Sequence, residues 1–260
     1  MTFEFDQAIN PLGASGIRRE LDPLDAISLP EMDDAALMNR VDTKFVFGEG
    51  CLIELLRRVR PEYRILEIDG QRDFRYETLY FDTSQRQCYL QHHNGKVNRQ
   101  KYRIRKYQSS GRCFLEVKKK NGKGRTDKRR MAISAVDEIL PPHHKAFSRE
   151  ATGSLPVRRP EMWTCFSRLS LVNRSRPERV TIDRDLTFRD ERSHRRLPGL
   201  VIVEVKQERD DRSTPVREYL RGLSVRPTRV SKFCLGSMLL TPGLKYNRFK
   251  EAWLAIKKSV

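Results

Sequence analysis

No apolar run in the 260 residues approaches the roughly 20 needed to cross a bilayer, so no transmembrane helix is expected. The opening MTFEFDQAIN has neither a basic start nor an apolar stretch. That speaks against a secretory signal and for a cytoplasmic location. Cysteine is sparse: Cys51, Cys88, Cys113, Cys165 and Cys234 are odd in number, scattered and without CxxC spacing. A disulfide framework and a zinc site are both unexpected. None of these cysteines has a His-Asp arrangement beside it, which argues against a thiol nucleophile. Aromatics make up only 8% of the chain and fall within apolar faces, so a base-stacking nucleic-acid surface is disfavoured. Acidic residues are outnumbered, 34 against 52 basic, leaving a net charge of +18. Such an excess attracts polyanions: nucleic acid, acidic lipid, nucleotides or polyphosphate.

What is present is a repeated strand format. In VIVEVKQ (201–207), Val201, Val203 and Val205 share one face, while Ile202, Glu204 and Lys206 share the other. In CFLEVKKK (113–120), Leu115 and Val117 lie opposite Glu116 and Lys118. NRVDTKFVF (39–47) sets Arg40, Asp42 and Lys44 against Val41, Thr43 and Phe45. RQKYRIRKYQ sets Lys101, Arg103 and Arg105 against Tyr102 and Ile104, and ERVTIDRDLTFRD sets Val180 and Ile182 against Arg179, Thr181 and Asp183. RYETLYFDT and EMWTCFSRLSLVN read as further strands, and SSGR and NGKGR as hairpin turns. CLIELLRRV has apolar residues at helical spacing, and the chain turns helical again through TPVREYLRGLS, VSKFCLGSMLL and LKYNRFKEAWLAIKKS. Between them, AVDEIL suits the start of a short helix, PPHHKAFSREATGSLPVRRP a surface connection and SHRRLPG a loop.

A single strand with one charged face is ordinary in a half-solvated antiparallel sheet. Five such strands, whose polar faces carry full charges, call for another arrangement. The pattern predicts an α+β fold: a closed antiparallel β-barrel with a basic interior and peripheral helices. Two unit charges about 4 Å apart interact by about 4 kcal/mol at an effective dielectric of 20, so clustered cations repel strongly unless carboxylates or a threaded polyanion neutralise them. Arg would grip phosphate oxygens in fork geometry, Lys would act as a point charge, and Glu would ligate a hard divalent cation.

RVDTKFVF, LYFDT, KYRIRKY, FLEVKKK…GRTDKRR, ERVTIDRDLTF, VIVEVK and VSKFCLG occur in the order of the VTC domain. The chain thus resembles that polyphosphate polymerase domain of the triphosphate tunnel metalloenzyme, or CYTH-like, superfamily. The resemblance runs from about residue 38 to about 240. It implies three parts: a loop-rich leader (1–36), the tunnel domain (37–243) and a C-terminal helix (244–260). It also implies that Lys44, Arg103, Arg105, Lys118, Lys128, Arg179, Lys206 and Lys232 line a tunnel and grip phosphates. Ser231 adds a hydroxyl there, Glu204 is the leading ligand for Mn²⁺ or Mg²⁺, and Glu116 is a second candidate. The superfamily opens with Glu-x-Glu-x-Lys, here Arg40-x-Asp42-x-Lys44, which weakens a two-metal hydrolase reading.

The expected activity is metal-dependent phosphoryl transfer, polyphosphate synthesis from ATP first and triphosphate hydrolysis second. A non-catalytic polyphosphate-binding module is the alternative from another class. No specific nucleic acid is expected, a membrane-protein partner is compatible, and oligomeric state is open. Three local readings complete the picture. The pairs His92-His93 and His143-His144 are placed in polar loops, and Tyr80, Trp163 and Trp253 in packing. Lys128 competes with Arg129 and Arg130 for the inward position, because a one-residue slip reverses every face.

Overall fold

The computed structural model describes residues 14–34, 40–122, 126–153 and 159–259. Part of the predicted leader (1–13) and the centre of the NGKGR turn (123–125) lie outside the described residues. The described part of the leader carries α1 (Ala14–Leu21), β1 (Asp25–Ile27) and α2 (Leu29–Asp34). The main sheet is built from β2 (Val41–Gly48), β3 (Tyr63–Leu66), β4 (Phe74–Asp82), β5 (Arg99–Tyr107), β6 (Cys113–Lys120) and β7 (Thr126–Ile133). It continues through β8 (Arg159–Asn173), β9 (Glu178–Arg189), β10 (His194–Leu197) and β11 (Leu200–Gln207). Helices α3 (Leu52–Val59), α4 (Gln87–His93), α5 (Pro142–Thr152), α6 (Pro215–Gly222), α7 (Lys232–Leu240) and α8 (Lys250–Lys257) surround it.

Three local expectations are corrected. The helix expected at AVDEIL forms instead as α5 within the predicted connection, where Pro142 stands in the first turn and Gly153 closes it at φ 74°. Proline is preorganised for a first helical turn and glycine for a left-handed cap. His92 and His93 end α4 and His143 and His144 lie in α5, so neither pair is in a loop. SHRRL, read as a loop, forms β10, which pairs antiparallel with β9.

Strand order is β2-β11-β9-β8-β4-β5-β6-β7, with antiparallel pairing along the whole path. The alternation read from the sequence is the alternation observed. On the outer face Val201, Val203, Val205, Phe45, Phe47, Val180 and Ile182 pack in one core with Leu52, Leu55, Leu56 and Val59 of α3 and Val216 and Leu220 of α6. Burying each such side chain stabilises by about 1.5–3 kcal/mol, so this outer layer contributes much of the stability, while a second core joins inner-face Val46, Ile202, Tyr80 and Met162 to α7 and leaves the rest of that face to charge.

That inner face is curled. Lys118 on β6 and Glu204 on β11 feel each other's charge, although β9, β8, β4 and β5 separate them in the sheet. Five flat inter-strand steps would place them about 24 Å apart, well beyond a screening length of about 8 Å. The expected barrel is only partly realised in hydrogen bonds. Among the described residues β2 and β7 end the path and do not pair with each other. Other partners take up the β2 edge: the Thr228 amide donates to the Lys44 carbonyl at 2.7 Å, and α8 packs alongside.

Candidate active site

Three carboxylates on the inner face are each shared by two cations. Lys44 and Lys206 approach Glu204 at 2.8 and 3.6 Å. Arg103 and Lys128 approach Glu116, each at 2.5 Å. Arg168 chelates Asp183 through Nε at 2.5 Å and Nη2 at 2.7 Å, and Lys232 bonds the same carboxylate. Cross-strand register creates these groups: Lys44 pairs opposite Glu204, Arg103 opposite Glu116, and Arg168 opposite Asp183. Register also decides the β7 ambiguity. Lys128 lies opposite Lys118 and reaches Glu116, whereas Arg129 pairs outward with Glu150.

The carboxylates stay ionised despite their surroundings. Burial pushes Glu204 up, but Lys206, Lys44 and Lys118 more than offset it and hold it well below the usual range. Glu116 is held low by Arg103, Arg105 and Lys128, and Asp183 by Arg168 and Lys232, each against the opposing effect of burial. The lysines shift as well. Burial brings Lys206 down to about 8, and Lys101, Lys128 and Lys232 are lowered by burial too. Lys118 is lowered well below the lysine range by Arg103 and then by burial.

Two predicted site residues have no such partner. Among the described residues no carboxylate comes within 4.0 Å of Arg105 or Lys118. Arg105 is 7% exposed. Its contacts are the Thr78 hydroxyl at 3.5 Å and the face of Tyr76, 5.3 Å from the ring centre. Lys118 is flanked on neighbouring strands by Lys101 and Lys128, and like charges directly opposite destabilise a sheet.

The segment before α7 crosses this face. Ser231 caps α7, its hydroxyl accepting from the Cys234 amide, while Lys101 donates to the same hydroxyl at 2.9 Å. Ser231 and Lys232 therefore join β5 to β9. Arg179 lies on the inner face opposite Lys206, but its guanidinium donates to the Met32 carbonyl of α2. It marks the end of the cleft next to the leader.

Sequence reasoning alone does not pick out Arg168 or Asp183 as site residues. Leu169 and Leu171 on the outer face imply an inward Arg168. A register shift between Cys165 and Ser167, with Asp185 left-handed at φ 54°, makes that long hairpin hard to phase. Tyr80, expected in packing, stacks near Phe233 at 5.2 Å and also takes a bond from Arg103 at 3.3 Å. Burial raises its phenol, but Arg103, Lys101 and Arg105 outweigh this and bring it below its ordinary value.

The fold and site together are those of a curled antiparallel sheet whose inner face gathers cations in excess of carboxylates. The VTC domain model matches residues 39–241, and the chain belongs to the VTC domain family. Solved structures with a similar fold include a Vibrio parahaemolyticus protein described as a candidate adenylate cyclase. It is 15% identical, with a TM-score of 0.42, over 76% of this chain and 97% of that one. A Hippeastrum adenylyl cyclase candidate, described as having a dominant triphosphatase activity, is 14% identical with a TM-score of 0.44, over 80% and 99% of the two chains. The S. pombe RNA triphosphatase Pct1 is 12% identical with a TM-score of 0.28, over 84% and 74%. No curated protein matches the chain in sequence.

Proposed function

We propose that residues 37–243 form a metal-dependent phosphotransferase that works on triphosphate and polyphosphate, in the first place a polyphosphate polymerase using ATP. The observation that carries this reading is the pair of counter-charge deficits at Arg105 and Lys118. Glu204, Glu116 and Asp183 are each already shared by two cations. A buried cation without a partner, as at Arg105, is costly, and a linear phosphoanhydride would supply negative charge to Arg105 and the partly buried Lys118 at once.

Phosphoryl transfer needs alignment and charge neutralisation more than covalent help. Arg103, Arg105, Arg179 and Lys206 would clamp the triphosphate, Lys118 and Lys128 would extend the grip, and Lys44, Ser231 and Lys232 would steer the acceptor. A phosphate acceptor is already ionised at neutral pH, so the transfer needs no dedicated general base. Among the described residues no three His, Cys, Asp or Glu side chains group as metal ligands. Asp183 and Glu116 are tied by arginines, while Glu204 meets only ammonium groups on flexible stems. The donor set therefore fits a cation held by one carboxylate and by phosphate oxygens, a common arrangement for Mg²⁺. Glu204 would hold Mn²⁺ or Mg²⁺, with Glu116 in reserve, and the bound ion would neutralise charge between phosphate groups.

Incubation with ATP and Mn²⁺, with products resolved on a gel, tests the reading. A polyphosphate ladder supports the polymerase, and orthophosphate release alone supports triphosphate hydrolysis. If neither appears, both enzymatic readings fall. Arg40 at the opening acidic position favours a non-catalytic polyphosphate-binding module as the second reading. In that case short-chain polyphosphate should outcompete a single-stranded oligonucleotide. A cytoplasmic site of action fits these substrates. Among the described residues no helix is long and apolar enough to cross a membrane, so any coupled translocation would need a membrane-protein partner.

A further inference from the structure

Not every aromatic residue falls within an apolar face. Along β5 the inner positions run Lys101, Arg103, Arg105 and then Tyr107, and along β6 they run Lys118, Glu116 and then Phe114. Both cationic rows therefore end in an aromatic ring on the same face. Tyr107 and Phe114 meet edge to face with ring centres 5.8 Å apart, and Tyr107 leans on Tyr76 at 5.0 Å. Two arginines lie against Phe114, with guanidinium carbons 5.4 Å (Arg112) and 5.1 Å (Arg130) from its ring centre. Tyr107 and Phe114 are partly exposed, and both arginines are exposed. The 107–112 hairpin fixes the arrangement: the Tyr107 amide donates to the Arg112 carbonyl at 3.0 Å, and Gly111 supplies the left-handed turn at φ 65°.

We infer that this aromatic and arginine cluster is the docking place for the base of a nucleoside triphosphate whose phosphates lie on Arg103, Arg105 and Lys118. The proposal rests on the phosphate-binding reading above and extends it to the other end of the substrate. Tyr107 lies one same-face position, about 7 Å, beyond Arg105, which leaves room for a ribose between phosphate and ring. Flat rings and guanidinium planes are the surfaces on which bases stack, and stacking is tolerant of base identity. Stacking reads the face of a base and not its edge, so ATP and GTP should bind alike. Inorganic tripolyphosphate, which has no base, should ignore Tyr107.

Isothermal titration of the full chain with ATP, GTP and tripolyphosphate tests this. Tyr107→Leu keeps apolar bulk but removes the ring, and should lower the ratio of ATP to tripolyphosphate affinity about tenfold. Tyr107→Phe and Tyr107→Trp should restore the ratio. A purely structural role would weaken both ligands together, or neither, and either result overturns the inference while leaving phosphate binding intact. A strong preference for ATP over GTP would also overturn it. If wild-type protein binds none of the three, the phosphate reading itself falls, and this inference with it.

Discussion

Arg105 and Arg184 belong to one sheet and are equally buried, 7% and 8% exposed, yet their surroundings are opposite. Arg184 is ringed by carboxylates: Asp73 at 2.5 Å, Glu49 at 3.2 Å and Asp185 at 3.7 Å. It joins the turn before α3, the loop before β4 and the β9 irregularity. Burial would depress its pKa, but Asp73 and its neighbours raise it. Among the described residues Arg105 has no carboxylate at ion-pair distance, and burial together with Arg103 lowers it. Burial of a cation therefore does not by itself mark a functional group. What separates a structural tie from a ligand-binding group is the local shortage of negative charge.

The largest expected effect lies on the structural side. Arg184→Met removes the cation between Glu49 and Asp73, and Glu49 is itself buried, with its carboxyl pushed up by burial. Leaving buried carboxylates uncompensated costs about 3–5 kcal/mol, which urea denaturation would register. A loss below about 1 kcal/mol would erase the distinction between the two arginines. Arg105→Met should behave in the opposite way. Taking away an unpaired buried charge should hold or slightly raise stability without ligand. Tripolyphosphate affinity should fall about 10- to 100-fold, the equivalent of about 1.5–3 kcal/mol for a charge-assisted hydrogen bond. If this variant unfolds as readily as Arg184→Met, Arg105 is a structural tie as well.

The same contrast shows what a sequence discloses. The inner face of β2, β5, β6 and β11 was legible because period-two alternation holds without interruption there. Lys44, Arg103, Arg105, Glu116, Lys118, Glu204 and Lys206 all lie on the predicted side. Family resemblance carried Ser231 and Lys232, which no alternation would reach. The Arg168–Asp183 bond stayed hidden because alternation gives the face of each residue and not its partner, which the β8–β9 register fixes. Counter-charge balance was also out of reach. Composition gives the total excess of +18, but only the fold shows that, among the described residues, Arg184 meets three acids while Arg105 meets none. The incomplete strand path has a similar origin, since the Thr228 bond to the β2 edge comes from a segment distant in sequence.

A smaller effect separates the two regions by pH. In the cleft, burial lowers Lys206 to about 8, and Lys101, Lys118, Lys128 and Lys232 shift in the same direction. An unfolded lysine titrates near 10.4. Between about pH 8 and 10.4 the unfolded chain therefore binds more protons at Lys206 than the folded chain, and stability without ligand should rise with pH across that window. Below about pH 8 this lysine is charged in both states, and its cost to folding is fully present. Tripolyphosphate affinity should move the other way, falling as the cleft loses positive charge, with proton uptake on binding near pH 8. Each such group can change stability by at most about 1.4 kcal/mol per pH unit. Urea midpoints at pH 7.5, 8.5 and 9.5, with and without tripolyphosphate, would show the opposed slopes, and Lys206→Met should flatten both. The Arg184 cluster contains no lysine, so Arg184→Met should leave the slopes unchanged. If both slopes have the same sign, the lysines of the cleft are not held in charge deficit, and the contrast between the two arginines loses its electrostatic basis.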